Sequence, residues 1–306
     1  IVRNGDYETA SMLYDDIPDT LSQLVRTAFI PAGDRQFIVS DFSAIEARVI
    51  AWLAGETWEM EAFAAGKDIY CATASAMFGV PVVKHGINGE LRQKGKVATL
   101  ACGYGGGIGA LKAMGADKMG LSDTELQNVV NKWRAASPHI VKLWGDVETA
   151  MMKAVTGIPT KLKQKDLYFH QEDGDLYIEL PSGRHLVYLN AHIGQNRFGS
   201  EAIIYTGLGG SKTTSGRWGK LETYGGKIVE NAVQAIARDC LCAAMARLTR
   251  AGYKICAHIH DEVILEMPEG KGNLDEAIAI MCKNAPWNEG LVMNADGFEA
   301  KYYQKD

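Results

Sequence analysis

Residues 253–268 read YKICAHIHDEVILEMP, and the fold turns on how this stretch is interpreted. Ile255, Ala257 and Ile259 alternate on one arm and Val263 and Leu265 on the other, with His260, Asp261 and Glu262 between them. The pattern is that of a β-hairpin with buried arms. Asp is a common turn residue, so the adjacent acids fit a surface turn. They also fit an active centre at the tip of a rigid support, because clustered carboxylates resist ionisation unless a cation offsets them, and a divalent ion is the natural offset. Strand alternation would point the Glu262 side chain away from that of Asp261, leaving one essential acid and one auxiliary one.

Upstream, residues 227–250 (KIVENAVQAIARDCLCAAMARLTR) form an amphipathic helix pattern. Ile236, Cys240, Ala244 and Leu248 share one stripe, and Gln234 and Arg238 lie on another. A second acid with a similar setting lies far upstream. QFIVSD at 36–41 reads as a short strand ending in Asp41, and SAIEARVIAWLAGE at 43–56 has helical spacing at Ile45, Val49, Trp52 and Leu53. Asp41 at a strand end suits either a metal-binding carboxylate or a cap satisfied by backbone N–H groups, with Glu46 just inside the helix.

Between them the pattern is mostly helical. DIYCATASAMFG (68–79), NGELRQKGKVATLACGYGG (88–106), SDTELQNVVNKWRAA (122–136, with a Ser ahead of Glu125) and HIVKLWGDVETAMMKAV (139–155) are predicted helices. In the second, Arg92, Lys96, Leu100 and Tyr104 recur every four residues and line one face over roughly 18 Å. Two cations, then an aliphatic group and an aromatic ring, suit a ligand polyanionic at one end and planar at the other, such as a nucleoside triphosphate. A half-exposed helix with solvated cations and a core tyrosine reads the same. GYGGGIG (103–109) lacks the order of a Walker loop and is expected to end the helix. Residues 167–193 switch to strand alternation with D-G and S-G turns. Residues 207–226 hold seven Gly and read as a long loop, either ordered by a ligand or plain surface. A further helix is expected near 273–283.

The bulk numbers narrow the class. With 306 residues, 47% hydrophobic, the chain can bury a large core in one or two domains. No apolar run reaches membrane-spanning length and the N-terminal residues lack signal-peptide regions, so no membrane role is expected. The six Cys form no CxxC pair, which argues for reduced thiols and against a structural zinc site. A net charge of −5 restrains a nucleic-acid reading, but residues 84–118 carry six Lys/Arg against two acids.

The three segments, taken in order, resemble motifs A, B and C of family A DNA polymerases, the DNA polymerase I type, with phage-like character. DFSAIEARV (41–49) is similar to motif A, RQKGKVATLACGYG (92–105) to motif B with its R-x3-K-x7-Y-G spacing, and HDEV (260–263) to motif C. The resemblance implies an α+β right-hand architecture, an antiparallel β-sheet palm with a mainly helical fingers domain. The palm would comprise 1–56 and 227–306, and the fingers 57–226. It further implies a template-directed DNA polymerase that extends a primer 3′-OH with dNTPs through two Mg²⁺ ions, or Mn²⁺ in their place. On this likeness Asp41 and Asp261 are the metal-binding catalytic acids, with Glu262 an additional catalytic carboxylate. Glu46 is a steric gate touching the nucleotide-binding tyrosine, and Arg92, Lys96, Leu100 and Tyr104 bind the nucleotide, Lys96 also serving as proton donor. Arg48, Gln234, Arg238 and His260 are carried over as DNA contacts, Arg48 as support to the site. Leu100 departs from the aromatic residue usual there.

The chain begins at Ile1, about 40 residues before motif A, while NADGFEAKYY (294–303) is similar to a polymerase C-terminus. A thumb and any exonuclease domain are therefore expected from a separate polypeptide or a longer protein. The expected partners are primer-template DNA, dNTPs and such a polypeptide, in the cytoplasm of a bacterial host if phage-encoded. The rival reading is a non-catalytic, partner-dependent nucleic-acid-binding subunit. A metal-dependent phosphohydrolase is the third, and leaves the Arg92–Lys96–Tyr104 register unexplained.

Overall fold

The computed structural model describes residues 4–116, 122–162, 166–209 and 216–304. In chain order its elements are α1 (Tyr7–Leu13), α2 (Ile17–Leu24), β1 (Arg35–Phe42), α3 (Ile45–Ala54), α4 (Thr57–Ala64), α5 (Ile69–Phe78), α6 (Leu91–Cys102), α7 (Ile108–Ala113), α8 (Asp123–Ala136) and α9 (Pro138–Ala154). There follow β2 (Thr160–Leu162), β3 (Leu167–Glu172), β4 (Asp175–Glu179), β5 (His185–Gln195), β6 (Glu201–Leu208), β7 (Trp218–Thr223), α10 (Gly225–Arg250), β8 (Ile255–Ile259), β9 (Glu262–Pro268), α11 (Leu274–Met281) and β10 (Ala295–Ala300). Among the described residues no helix is long and apolar enough to cross a membrane. None of the six cysteines is in a disulfide.

The chain divides into two compact units, one of 1–43, 241–283 and 294–306, the other of 44–240 and 284–293. The first is built on a four-stranded antiparallel sheet in the order β10-β1-β9-β8. Its two central strands are buried in runs rather than in alternation: Phe37–Ser40 on β1 and Val263–Glu266 on β9 are buried residue after residue. Burial on both faces gives such runs. Phe37, Val39 and Ile264 pack with Tyr303 on one face. Arg247, in the last turn of α10, donates to the carbonyls of Ile280 and Met281 (both 3.1 Å) and so satisfies the C-terminus of α11.

The hairpin arms are not equivalent, contrary to the sequence pattern. Ile255 is half-buried, and Ala257 and Ile259 are exposed. β8 is the edge strand, and a register irregularity between Ile255 and Ala257 breaks its alternation.

The second unit surrounds α3, which is buried from Arg48 to Ala54 without interruption. A helix apolar all round belongs in a core. Trp52 Nε1 donates to the Glu289 carbonyl (3.0 Å) and Arg48 to that of Val292 (3.0 Å), pinning 284–293 against the helix. The six-stranded antiparallel sheet β2-β3-β4-β5-β6-β7 runs in sequence order. The expected loop at 207–226 is mostly regular structure: β6 reaches Leu208, β7 occupies 218–223 and α10 starts at Gly225, while 210–215 lie outside the described residues. Glycine-rich composition masked a strand pair whose stability is tertiary. The capping box of Ser122 and Glu125 forms as expected and contributes about 1 kcal/mol.

Two buried acids join α4 to α9. Glu56 accepts from the His139 N–H at the start of α9 (2.9 Å), and Glu59 accepts from Ser137 Oγ (3.0 Å). Anionic groups at a helix N-terminus are favourable, yet Glu59 is 3% exposed, and burial pushes its carboxyl up to about 8, offset in part by Ser137 and reinforced by Glu56. The native state therefore keeps a proton that the unfolded chain releases near pH 4.5, so this group's stabilising contribution falls as pH rises from there through about 8 and levels off above. Urea melts at pH 5.5, 7 and 8.5 should show Glu59→Gln losing less stability across this range than the unaltered protein; parallel pH profiles would contradict the assignment.

Candidate active site

In the first unit β1 carries Asp41 to the penultimate strand position, opposite Glu262 on β9 and Asp296 on β10. Directly opposed residues share a face of the sheet. The β8–β9 connection is the two residues His260 and Asp261, with His260 at φ 54°. A non-glycine residue in that region carries a cost of roughly 1–2 kcal/mol and persists where its surroundings over-determine it. The stretch is thus both a tight turn and an acid cluster. The Phe42 N–H donates to the Asp261 carbonyl (3.4 Å), linking the turn to β1.

Asp41 is not a helix cap: α3 begins after Ala44 and has no side-chain cap. Its carboxyl is pushed up to about 7, first by loss of water around it, then by repulsion from Asp261, with which it shares a hydrogen bond, and by Glu262. Asp261 lies in the turn, so strand alternation does not separate it from Glu262, and both charges bear on Asp41. Glu262 is held by the Tyr303 hydroxyl (2.6 Å), whose own pKa rises to about 12 through burial and this contact. Asp296 accepts from Ser43 Oγ (2.6 Å).

Hard carboxylate oxygens that repel one another are the donor chemistry of a divalent cation. Among the described residues no three His, Cys, Asp or Glu side chains form a ready ligand cage.

In the second unit, α6 lies against α5 along one stripe. Arg92 donates through Nε and Nη2 to Asp68 (2.9 and 2.7 Å), the capping residue of α5, and Thr99 meets Thr73 (3.1 Å). At Gly95 a Cβ would stand 2.1 Å from the Tyr70 carbonyl oxygen. Arg92 and Lys96 both stand over the Tyr70 ring, at 5.2 and 5.8 Å. Leu100 is 43% exposed.

The predicted helical stripe is shorter than its sequence spacing: α6 stops at Cys102, and Tyr104 sits in the following turn. Glycines at 103 and 105–107 end the helix, and the turn is fixed from outside it. Trp144 Nε1 donates to the Gly103 carbonyl (2.9 Å) and Arg134 reaches those of Gly105 and Gly106. Gly226, at the start of α10, lets the Tyr104 carbonyl pass where a Cβ would lie 2.4 Å away. The Tyr104 hydroxyl donates to Glu46 Oε2 (2.9 Å), and burial with this carboxylate drives the phenol pKa upward.

Gln234 and Arg238 are exposed on one face of α10. Arg48 is not placed for a nucleic-acid contact: it is 7% exposed, bonded to the Val292 carbonyl and stacked on the Phe63 ring at 4.3 Å. Asp296 and Tyr303 escaped the sequence reading. Asp296 has a weak signal, an acid among alternating residues, while Tyr303, Trp144 and Arg134 have none, since their contacts are made across long sequence separations.

The model of DNA polymerase family A matches residues 15–286. The chain belongs to DNA polymerase family A. It is 53% identical to the DNA polymerase of Bacillus phage SP02 over 308 aligned residues, covering 100% of this chain and 47% of that protein. It is 25% identical to a thermostable DNA polymerase I of Thermus thermophilus, covering 87% of this chain and 26% of that one. The chain thus spans about half or less of the length of these relatives. In fold it is similar to the polymerase domain of Pol1 from M. smegmatis, solved with DNA primer-template and dNTP, at a TM-score of 0.59 and 20% identity over 92% of this chain and 42% of that one. This likeness bears on the fold.

Within this family A chain the α5–α6 contact predicts a measurable cost. Gly95→Ala should lose about 1–3 kcal/mol in urea denaturation by overpacking against Tyr70, whereas Gln93→Ala, at an exposed position, should stay within about 0.5 kcal/mol. Equal midpoints for the two variants would refute the close packing.

Proposed function

We propose that the chain is the nucleotidyl-transfer portion of a template-directed DNA polymerase acting in phage replication or repair, with a palm of 1–56 and 227–306 and fingers of 57–226. The observation that carries this reading is the Asp41–Asp261 carboxylate pair, one member of which is lifted to about 7 by burial and by the other's charge. Family membership and the 53% identity to a phage DNA polymerase support it.

In this reading Asp41 and Asp261 hold two Mg²⁺ ions, or Mn²⁺ in their place, and Glu262 is an auxiliary acid kept in place by Tyr303. Bound divalent ions would supply a more acidic attacking hydroxyl and neutralise charge on the phosphates. The primer 3′-hydroxyl gives its proton to solvent and its oxygen forms a bond to the α-phosphorus of a dNTP, while the bond from that phosphorus to the α–β bridging oxygen breaks and pyrophosphate leaves. Arg92 and Lys96 neutralise the triphosphate, and the Lys96 ammonium gives the departing pyrophosphate its proton. Arg92 has to share or release Asp68 to do so. Leu100 packs against the sugar. Glu46, tied to Tyr104, blocks a ribose 2′-OH, and Tyr104 stands beside the templating base. Gln234 reads minor-groove acceptors common to all correct pairs, Arg238 contacts the backbone, and His260 lies near the primer end. Movement of α6 would close the site over a correct pair. Work of this kind belongs in the cytoplasm of a bacterial host.

A second reading is a partner-dependent nucleic-acid-binding unit. Grip on duplex then comes from a polypeptide supplying the thumb, since few phosphate contacts hold a primer weakly. Primer extension with Mg²⁺ or Mn²⁺, by the chain alone and with the remaining half of the phage relative added, separates the two. Asp261→Asn should fold normally and extend on the order of a thousandfold more slowly or not at all. Extension at the unaltered rate would sink the assignment.

A further inference from the structure

The β4–β5 hairpin grips α10 at three residues one turn apart, Asn231, Ala235 and Asp239. Both oxygens of the Asp239 carboxylate are used: Oδ2 accepts from Ser182 Oγ (2.6 Å) and Oδ1 from Arg184 Nε (2.6 Å). Arg184 Nη2 reaches the Ala235 carbonyl (2.6 Å). One turn earlier, Asn231 Nδ2 donates to the Tyr188 hydroxyl on β5 (2.8 Å). Ser182 and Arg184 belong to the turn between the strands, itself closed by hydrogen bonds between Leu180 and Arg184 and from Gly183 to Leu180 (both 2.8 Å). The Asp239 side chain is 11% exposed, so its charge is largely removed from water and offset by the forked guanidinium.

Gln234 and Arg238 immediately precede the two gripped positions, Ala235 and Asp239. A helix turns about 100° per residue, so the exposed pair forms a stripe about a quarter-turn from the gripped one. Fixing one stripe fixes the direction of the other. A ball-and-socket apolar contact would let the helix roll; a planar fork bonded to a side chain and a carbonyl one turn apart defines a rotation.

We infer that Asp239, clasped by Arg184 and Ser182, is a positioning residue that sets the rotation of α10 and so aims Gln234 at the nascent base pair and Arg238 at the adjoining backbone. The inference rests on the polymerase reading above, in which these two side chains meet DNA. Asp239 touches no substrate; it acts through its neighbours. The hairpin turn is thereby a specificity element, although none of its own side chains reads a base.

The test is a double-mutant cycle on the unaltered chain, Gln234→Ala, Asp239→Asn and both together. Each is assayed for extension of matched and mismatched primer ends, with KM for primer-template separated from kcat, supplemented with the relative's remaining half if extension requires it. Both single variants should raise KM for primer-template and erode mismatch discrimination by about tenfold, and the double variant should be little worse than either. The exchange Arg184→Asp with Asp239→Arg should recover part of the loss. Additive costs, or an Asp239→Asn variant that lowers the melting temperature while leaving KM and discrimination intact, would reduce the clasp to a fold staple and overturn the inference. If Gln234→Ala extends matched and mismatched ends as the unaltered protein does while Asp261→Asn is inactive, the DNA role of α10 falls and the inference with it, but the polymerase reading stands. If the unaltered protein extends no primer, the polymerase reading itself is what fails.

Discussion

Repulsion among Asp41, Asp261 and Glu262 is the constraint on which the first unit is built. Three carboxylates do not share a small space in a folded chain without help, and the sheet supplies it. β1 and β9 are buried along four consecutive residues each, so neither strand can slip by one residue without exposing a core side chain. That locked register puts Asp41 beside Glu262, and the two-residue turn at His260–Asp261 completes the cluster. The left-handed backbone at His260 is stored strain kept in place by the same strands. Tyr303 then holds Glu262 through its hydroxyl (2.6 Å). The energy of the hydrophobic core is thus what keeps the acids together.

The second unit solves a different problem, holding cations and an aromatic ring at set positions along a helix and its following turn. Long side chains such as Arg92 and Lys96 have many rotamers, and freezing them carries an entropic cost. Here the Tyr70 ring and the Asp68 carboxylate restrict them before any ligand is present. The helix itself is located by a glycine contact so close that no other residue fits without displacement. Tyr104 lies beyond the helix and needs its own fixings, from Trp144, Arg134 and Glu46.

Much of this was legible from residues. The strand at 36–41, the helices at 68–79, 122–136 and 139–155, and the buried stripe of Ile236, Cys240, Ala244 and Leu248 all follow from local periodicity, and each is realised. Ordered motifs around Asp41, Arg92 and Asp261 pointed to the family that the comparisons establish. The failures share one cause, that burial is a property of neighbours. Ile255, Ala257 and Ile259 have the alternation of a buried strand, yet β8 is an edge with no neighbour on its outer side. Residues 207–226 look like loop because glycine weakens any local preference, yet β6 and β7 pair there. Arg48 is carried over as a DNA contact, yet its guanidinium is enclosed by Phe63 and the 284–293 segment.

The sequence by itself determined the element types, the identity of the acids and cations, and the order in which the motifs occur, because periodicity and residue chemistry are written in nearby positions. Tertiary structure alone decided that Asp296 stands opposite Asp41, that Tyr303 holds Glu262 across 41 positions, that Tyr104 leans on Gly226, and that the β4–β5 turn clasps Asp239. Those contacts join residues whose separation in the chain carries no period. Only packing brings such residues together.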